Sequence, residues 1–384
     1  MEITGKIQSR LPDLGTTIFT VMSQLAKDYN AINLAQGFPD FKCSSKLVDL
    51  VTKYMQLGFN QYAPMAGALP LRQKIAEKIQ YCYNAGYDVE KEITVTCGAT
   101  EACFVAISSV VQQGDEVIVF EPAFDCYLPA IKLAGGKPVY VKLNYPDYSI
   151  DWNLVKEKIS SKTKLIIINS PHNPTGAVIT PKDIDALRDV VSGTDIFILS
   201  DEVYEHIIFD GEEHLSLSSY SDLKERTIVV SSFGKTFHTT GWRIGYAVAP
   251  EFLSAEFRKV HQYNTFSAAA PMQFAIAEFL QDRSEYLNLN DFYQHKRDYF
   301  LSLISKSRFT MLPAKGTYFQ LLDFGHFSQE NDVELAYRLT KEAGIACIPV
   351  SVFYSDKTDR KVLRFCFAKE NETLEKAAEI ICRI

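Results

Sequence analysis

The feature that most constrains the fold is a series of short apolar segments, each followed by a turn of small or polar residues. The apolar segments lie at residues 93–96, 117–120, 165–168, 196–199, 228–230 and 244–249. Helical segments alternate with them, as in the stretch that runs on to Val111. Consecutive strand and helix units predict a largely parallel sheet with helices on both faces. Ligands of such a sheet bind outside the carboxyl ends of its strands.

Side chains of quite different chemistry fall at these predicted strand ends. They are Ala99, Phe124, Asn173, Asp201 and Lys235. Asp201 ends an apolar strand, where a carboxylate is costly unless it meets a cation. Small residues after Gly98 expose the first N–H groups of the following helix, which can hold a phosphate. Phe124 can stack on a flat ring, although packing in the core is equally common for a lone phenylalanine. We expect these residues to converge.

Residues 231–243 follow the apolar segment 228–230 and place Lys235 close to the predicted strand end. Two serines precede Lys235, and Arg243 follows a glycine shortly after it. A lysine can act as a nucleophile, and hydroxyl groups beside a guanidinium suit a phosphate. This combination fits a phosphorylated aldehyde cofactor, of which pyridoxal phosphate is the commonest. From this segment alone, a surface lysine in a turn capped by Ser and Thr is the alternative.

Size and charge narrow the class of protein. A chain of 384 residues exceeds one hydrophobic core, so we expect either two domains or a large α/β domain with a smaller one appended. The net charge is −7, and no block of Lys or Arg stands out, so we expect no nucleic-acid or membrane partner.

The amino terminus lacks the apolar core of a signal peptide, which predicts a cytoplasmic protein. The eight cysteines are scattered singly, which favours buried free thiols over disulfides or a zinc site.

The last third of the chain changes character. Residues 263–280 predict one long helix, and residues 316–322 and 361–367 predict strands of a smaller α+β unit. We therefore expect an amino-terminal arm with part of the small domain at 1–40, a large domain at 41–281 and a small domain at 282–384. Arg364 alternates with apolar neighbours, so we expect it to be buried beside a carboxylate. That carboxylate is either an internal Asp or Glu or part of a substrate.

Taken together, these segments make the sequence similar to the class I aminotransferases of pyridoxal-phosphate fold type I. The resemblance is carried, in family order, by residues 169–176, 200–204, 231–237, 241–245 and 363–367. Within the family, residues 34–41 and 122–127 resemble the kynurenine aminotransferase and glutamine transaminase branch. Residues 15–20, 61–65 and 351–353 resemble bacterial methionine aminotransferases. The resemblance implies an α/β fold with a large domain built on a mostly parallel seven-stranded sheet and a smaller α+β domain.

The resemblance also implies a cofactor site. Lys235 would hold pyridoxal 5′-phosphate covalently and then move a proton between the substrate Cα and the cofactor. Asp201 would pair with the pyridine nitrogen, and Tyr204 with Asn173 would bind the phenolic oxygen. The other implied cofactor-binding residues are Gly98, Ala99, Thr100, Phe124, Ser232 and Arg243, with Tyr62 supplied by the neighbouring subunit of a homodimer. Position 243 is Arg where this branch often has Lys, and phosphate binding should survive that change because both are cationic.

The substrate site implied by the resemblance is built around Arg364. Its guanidinium would clamp the α-carboxylate, assisted by Asn173 and the Gly37 backbone. Phe19 and Phe266 would form an apolar wall that suits neutral side chains, and no evident second arginine matches a dicarboxylic substrate. The implied enzyme transfers the amino group of methionine, aromatic or other neutral L-amino acids to a 2-oxo acid by a ping-pong mechanism. It needs no metal.

Three other functions compete with this interpretation. A carbon–sulfur β-lyase would use the same cofactor on cysteine conjugates. A kynurenine–oxoglutarate transaminase is disfavoured because Thr100 stands where the mammalian kynurenine enzymes have an aromatic residue, and Phe19 stands where they have Trp. A cofactor-sensing regulatory module without turnover would require an added DNA-binding domain, for which we find no room at either end.

Overall fold

The computed structural model describes residues 7–312 and 314–384. Its strands are β1 Ile32–Asn33, β2 Ile93–Thr96, β3 Glu116–Glu121, β4 Lys137–Lys142, β5 Thr163–Asn169, β6 Phe197–Asp201, β7 Thr227–Ser232, β8 Gly245–Val248, β9 Thr310–Leu312, β10 Phe319–Asp323, β11 Ile345–Ala346, β12 Ile348–Pro349 and β13 Val362–Cys366.

The α-helices are α1 Ile18–Asp28, α2 Ser45–Gln56, α3 Leu69–Tyr83, α4 Ala99–Val110, α5 Tyr127–Leu133, α6 Trp152–Lys158, α7 Pro181–Val191, α8 Ser221–Lys224, α9 Phe233–Thr236, α10 Glu251–Asn264, α11 Ala270–Phe279, α12 Ser284–Leu287, α13 Leu289–Leu303, α14 Asp332–Arg338 and α15 Asn371–Ile381. Short 3₁₀ turns lie at Leu217–Ser219, Thr240–Trp242 and Val350–Phe353, and a π-helical turn lies at Leu339–Ala343.

A seven-stranded sheet forms the centre of the larger part of the molecule. Its strand order is β2-β8-β7-β6-β5-β3-β4, and β8 alone runs against the other strands. Successive residues of β5 pack into two different hydrophobic clusters, Ile166 and Ile168 on one face and Leu165 and Ile167 on the other. Burial on both faces explains why the strands are apolar throughout. The predicted mostly parallel seven-stranded sheet is confirmed.

The apolar segments in the sequence do not include the edge strand β4. It begins and ends with lysine, and most of its residues are only half-buried. It pairs in parallel with β3, from Glu116 opposite Lys137 to Glu121 opposite Lys142. An edge strand covers less apolar surface than a central one, so its sequence carries a weaker signal.

A second, antiparallel sheet of four strands lies in the carboxyl-terminal part, in the order β12-β13-β10-β9. The amino-terminal strand β1 pairs in parallel with β11, joining Ile32 to Ile345. This pairing brings the segment around residue 32 to the carboxyl-terminal unit. The domain boundaries at residues 40 and 281 stay a prediction.

The single helix predicted over residues 263–280 is wrong. Helix α10 ends at Asn264, and α11 begins at Ala270. Phe266 between them has a φ of +72°, a left-handed conformation that interrupts a right-handed helix. Pro271 stands in the first turn of α11, where its missing N–H leaves no helical hydrogen bond unmade.

None of the helices in the described part of the chain is long and apolar enough to cross a membrane. All eight cysteines are free, and Cys103, Cys347 and Cys366 are buried.

Candidate active site

Lys235 lies in α9, directly after β7, and its side chain is half-buried. Its Nζ donates to the Tyr318 hydroxyl at 2.9 Å and approaches the Gly37 carbonyl at 3.4 Å. Within residues 7–312 and 314–384, no carboxylate lies within 4 Å of this ammonium group. Burial, joined by the nearby Arg364 and Arg243 guanidinium groups, lowers the pKa of Lys235 to about 8. A fraction of the amine is therefore neutral near pH 7 and able to act as a nucleophile or base.

Asp201 ends β6 and is 3% exposed. Its Oδ2 accepts a hydrogen bond from the Tyr127 hydroxyl at 2.5 Å, and its Oδ1 accepts from the Val203 N–H at 3.3 Å. Burial raises the pKa of Asp201, and these two donors offset the effect only in part. The part of the chain that the structure describes provides no ion-pair partner for this carboxylate. The site therefore favours a bound group that presents a proton or a positive charge to Asp201.

Tyr204 and Asn173 complete the same edge of the sheet. Tyr204, 2% exposed, follows Asp201 in the turn after β6. The Lys235 Nζ lies 5.5 Å from the centre of its ring. Asn173 lies in the turn after β5, where its backbone N–H donates to the Asn169 Oδ1 at 2.9 Å. The Asn173 side chain in turn accepts a hydrogen bond from Arg364 through its Oδ1.

The amino terminus of α4 forms an anion site. Gly98 is its N-cap, with a φ of +82°, and its N-cap position makes no side-chain hydrogen bond to the first turn in the part of the chain that the structure describes. A Cβ at position 98 would lie 2.6 Å from the Arg243 Nη2, so the glycine also makes room for that guanidinium. Ala99, Thr100, Ser232 and Arg243 line the cavity at this point. Helix N–H groups, hydroxyls and an arginine together are suited to a phosphate.

Arg364 on β13 is 1% exposed and points into the cavity from the second sheet. Its Nη1 donates to the Asn173 Oδ1 at 2.7 Å, and its Nη2 donates to the Ala35 carbonyl at 3.2 Å. Its guanidinium carbon lies 3.8 Å from the centre of the Phe319 ring. Burial lowers the pKa of Arg364 to about 10.

Unmet hydrogen-bonding capacity distinguishes this guanidinium from a structural arginine. Among the described residues, Arg364 has no carboxylate within 4 Å, and its Nε has no hydrogen-bond partner. No internal Asp or Glu, one of the two alternatives from the sequence, therefore contacts the guanidinium there, and the more distant Asp125 carboxylate acts on it only through its charge. A buried arginine in this condition favours an incoming carboxylate.

A cavity of about 170 Å³ joins these groups. The sequence-predicted residues that line it are Phe19, Gly37, Ala99, Thr100, Phe124, Asn173, Asp201, Tyr204, Ser232, Lys235, Arg243 and Arg364. Gly98 lies against Arg243 at its margin. Two predicted residues lie elsewhere: Tyr62 and Phe266 contact each other edge-on, with ring centres 5.4 Å apart, and are 84% and 42% exposed.

The structure adds residues that the sequence analysis did not assign to the site. Tyr127 bonds Asp201, Tyr318 bonds Lys235, and Phe319 packs on Arg364. A substituent at Gly37 would lie 2.7 Å from the Phe319 ring, which explains the glycine there. Tyr318 lies within residues 316–322, which the sequence predicts as a strand, and Tyr127 lies within residues 122–127, which carry part of the family resemblance. The sequence shows no sign of their hydrogen-bond partners, because Tyr318 and Lys235, for example, are 83 residues apart.

Comparison with known proteins agrees with this geometry. The sequence model of the family described as "Aminotransferase class I and II" matches residues 29–381. Methionine aminotransferase of Escherichia coli K12 is 48% identical over 97% of both chains, and kynurenine–oxoglutarate transaminase of Dictyostelium discoideum is 34% identical over 100% of this chain and 98% of its own.

Structural similarity extends over nearly the same length. The solved structure of an E. coli protein with a methionine aminotransferase function superposes with a TM-score of 0.96 at 47% identity, covering 98% of this chain and 99% of that one. The family model matches most of the chain, and the relatives cover nearly its full length. The cavity joins the lysine, carboxylate and arginine described above. The chain belongs to the class I and II aminotransferase family.

Proposed function

We propose that this aminotransferase binds pyridoxal 5′-phosphate through the cavity residues and acts on methionine, aromatic and other neutral L-amino acids. The observation that carries the proposal is the meeting of Lys235, Asp201 and Arg364 at one cavity, where none of the three forms an ion pair within 4 Å among the described residues. A buried charge without a counter-charge is unfavourable unless a ligand supplies one. A substrate that carries an amine and a carboxylate, together with a phosphorylated cofactor, would supply a partner for each of these three side chains.

The residues present fit the cofactor at each of its functional groups. Lys235 would bind the aldehyde carbon and Asp201 the ring nitrogen, while Tyr204 and Asn173 would bind the phenolic oxygen. Phe124 would lie against the ring. The phosphate would be held by Gly98, Ala99, Thr100, Ser232 and Arg243. When bound, pyridoxal phosphate supplies an electrophilic carbon for amines and a ring that accepts electrons.

The protein's own contribution is binding, orientation and proton transfer. Arg364 and Asn173 would hold the substrate carboxylate from one side, with the Gly37 backbone beside them. Lys235 Nζ would take the proton from the substrate Cα, since its lowered pKa leaves part of the amine unprotonated. Asp201 would keep the ring nitrogen protonated, because a buried carboxylate without a cation favours a proton shared with its ligand. Amine donor and oxo acid would take turns in the same cavity, which predicts ping-pong kinetics.

The cavity wall supports neutral side chains as substrates. Phe19, Phe124 and Phe319 line it, and the Arg364 guanidinium carbon lies 5.2 Å from the Phe19 ring centre and 3.8 Å from that of Phe319. The basic residues among its lining are Lys235, Arg243 and Arg364, and Arg243 lies at the anion site. A dicarboxylic substrate would thus lack a second guanidinium for its side chain. The 48% identical relative is a methionine aminotransferase, which supports the same class.

The predicted wall residue Phe266 is not among the residues that line the cavity of its own chain, and Tyr62 lies with it on the surface. We propose that the protein is a homodimer in which Tyr62 of the partner subunit reaches the phosphate. The exposure of both rings supports a contact at that surface. A role for Phe266 and a cytoplasmic location stay predictions.

The test is a single-turnover measurement on the purified holoenzyme without an acceptor. The enzyme is mixed separately with L-methionine, L-phenylalanine, L-glutamine, L-kynurenine and L-aspartate, and the 2-oxo acid formed per site is measured with the change in absorbance. We expect one equivalent of oxo acid, fastest from methionine or phenylalanine and slowest from aspartate. Lys235→Ala serves as the inactive control. Fastest transfer from aspartate would contradict the neutral-substrate proposal, and activity in Lys235→Ala would contradict the role of the lysine.

A further inference from the structure

Tyr318 accepts the shorter of the two hydrogen bonds that the Lys235 amine makes among the described residues, and it has no part in the proposed cofactor site. It is fully buried and directly precedes β10. Its hydroxyl donates to the Gly37 carbonyl at 2.6 Å and accepts from the Lys235 Nζ at 2.9 Å. A phenol has one proton and two lone pairs, so both bonds form at once. The oxygen therefore links the lysine to the backbone of the amino-terminal segment.

The phenol oxygen has little freedom to move. The Tyr318 ring packs edge-on against Tyr204 at 5.1 Å and against Phe319 at 5.0 Å, and it lies 5.7 Å from Tyr293. The hydroxyl is further fixed by its bond to Gly37. A side chain locked by packing and by a second hydrogen bond can orient a flexible neighbour. Lysine is such a neighbour, because its four-carbon stem has many rotamers.

We propose that Tyr318 is a positioning residue, which holds the Lys235 amine beside the Gly37 carbonyl while that amine is free of the cofactor. Held there, the amine would meet the substrate Cα proton without first searching through its rotamers. The inference rests on the proposed role of Lys235 as the group that moves this proton. It adds a residue whose hydroxyl would act only through Lys235.

The other groups around Lys235 do not replace this contact. The titratable or charged groups that face it are Asp201, Tyr204, Arg243, Tyr318, Arg364 and Cys366. The two guanidinium groups donate hydrogen bonds and cannot accept one. Among the described residues, the hydrogen-bond partners of Nζ are the Tyr318 hydroxyl and the Gly37 carbonyl. Burial raises the pKa of Tyr318 far above its ordinary range, so the phenol stays neutral.

Tyr293 provides a matched control. It is also fully buried and its ring lies 5.7 Å from that of Tyr318, but its hydroxyl has no hydrogen-bond partner among the described residues. Tyr318→Phe and Tyr293→Phe each remove one buried phenolic oxygen and keep the ring. A packing effect of removing such an oxygen would affect both variants alike, whereas the loss of the Tyr318 hydrogen bonds would affect only Tyr318→Phe.

The first experiment is single-turnover kinetics of the holoenzyme with L-methionine carrying hydrogen or deuterium at Cα. We expect Tyr318→Phe to lower the rate about 10- to 100-fold, in the range of a lost hydrogen bond to a charged group. We also expect its isotope effect to increase, because removal of the Cα proton becomes more strongly rate-limiting. The apparent affinity for methionine should change little, and Tyr293→Phe should match the wild type in rate and isotope effect.

The second experiment does not depend on turnover. The full-length protein freed of cofactor is treated with acetic anhydride over a range of pH, and acetylation of Lys235 is followed by peptide mass spectrometry. An oxygen that accepts a hydrogen bond favours the ammonium form, so its removal should shift half-maximal labelling to lower pH. Tyr293→Phe should label as the wild type does.

The outcomes separate this inference from the function on which it rests. A Tyr318→Phe enzyme with the wild-type rate, isotope effect and labelling profile would overturn the positioning role, even with Lys235→Ala inactive. Equal loss in both phenylalanine variants would also overturn it, because it would show a packing effect. An active Lys235→Ala enzyme would instead overturn the proposed function of the lysine.

Discussion

At the scale of single residues, the site is marked by buried ionisable side chains that form no ion pair among the described residues. Lys235, Asp201 and Arg364 are each shifted by burial toward the uncharged form, with the pKa lowered for the two bases and raised for the acid. A structural ion pair shifts the other way, because each partner stabilises the charge of the other. Buried Glu205 beside Lys78 is an example, since its pKa lies far below the ordinary range. The contrast identifies the cavity as a place for a ligand.

The pH dependence of cofactor loading follows from Lys235. Its pKa in the cofactor-free protein is lowered to about 8, chiefly by burial. Only the neutral amine attacks an aldehyde, so below that pKa the loading rate should fall about tenfold for each pH unit. The measurement is the absorbance change when full-length cofactor-free protein is mixed with pyridoxal phosphate between pH 6 and pH 10. A midpoint near 10.5, the ordinary value for lysine, would contradict the effect of burial.

At the scale of elements, a buried ion pair fixes α3 against the active-site edge of the sheet. The Lys78 Nζ on α3 lies 2.6 Å from the Glu205 carboxylate in the turn after β6, and both side chains are almost fully buried. Glu205 also accepts from the hydroxyl of Ser231, which stands next to the cavity residue Ser232. The pair thus connects a helix, a turn and a strand that are far apart in the sequence.

Removing one partner of this pair should destabilise the fold more than replacing both partners with apolar residues. Glu205→Gln leaves the Lys78 ammonium buried without a counter-charge, which should lower the free energy of unfolding by about 3–5 kcal/mol at pH 7. Lys78→Met combined with Glu205→Leu should recover most of that loss, because both charges are removed. Urea unfolding followed by circular dichroism measures both. Glu372→Gln, in the exposed Lys376–Glu372 pair, is the control and should have little effect.

The pH dependence of the same variant has a defined sign. Burial raises the pKa of Glu205, but the Lys78 ammonium more than offsets it, so the folded pKa lies below the ordinary 4.5. The stabilising contribution is therefore fully present above pH 4.5 and is lost as pH falls through the folded pKa. The gap between the wild type and Glu205→Gln should narrow on acidification below that value. A gap that widens there would contradict the assignment.

At the scale of the whole molecule, the cavity closes only because distant parts of the chain meet. The Leu34 carbonyl accepts from the Cys366 N–H at 2.8 Å, and the Ala35 carbonyl accepts from Arg364 at 3.2 Å. The amino-terminal segment, the large sheet and the second sheet each supply one side of the site. A second copy of the chain would supply Tyr62 if the proposed dimer is correct.

Mixed dimers test that shared site. Lys235→Ala damages the site of its own subunit, whereas Tyr62→Ala would damage the site of its partner. Unfolding and refolding an equal mixture of the two inactive or weakened variants should restore wild-type activity at about a quarter of all sites, because half of the dimers then contain one intact site. The activity of the mixture is compared with that of each variant treated alone. A mixture that shows only the average of its parents would exclude a Tyr62 contribution across subunits.

The sequence alone determined the class of fold and most of the cavity. The spacing of apolar residues predicts each strand from local sequence, and the carboxyl ends of parallel strands meet at one edge of the sheet. Ala99, Phe124, Asn173, Asp201 and Lys235 could therefore be brought together without a structure, and the structure places all five in one cavity. The resemblance to a family added Arg364 and Gly37 from outside the large sheet, and both line the same cavity.

Only the tertiary structure decided which groups are paired. The contacts of Tyr318 with Lys235 and of Tyr127 with Asp201 join segments 83 and 74 residues apart, and no local pattern encodes them. The packing of elements likewise settles the reversed direction of β8 and the break at Phe266. It also leaves Arg364 without a carboxylate within 4 Å among the described residues. Local sequence fixes periodicity and turn chemistry, whereas the partner of a buried polar group depends on the surfaces that folding brings against it.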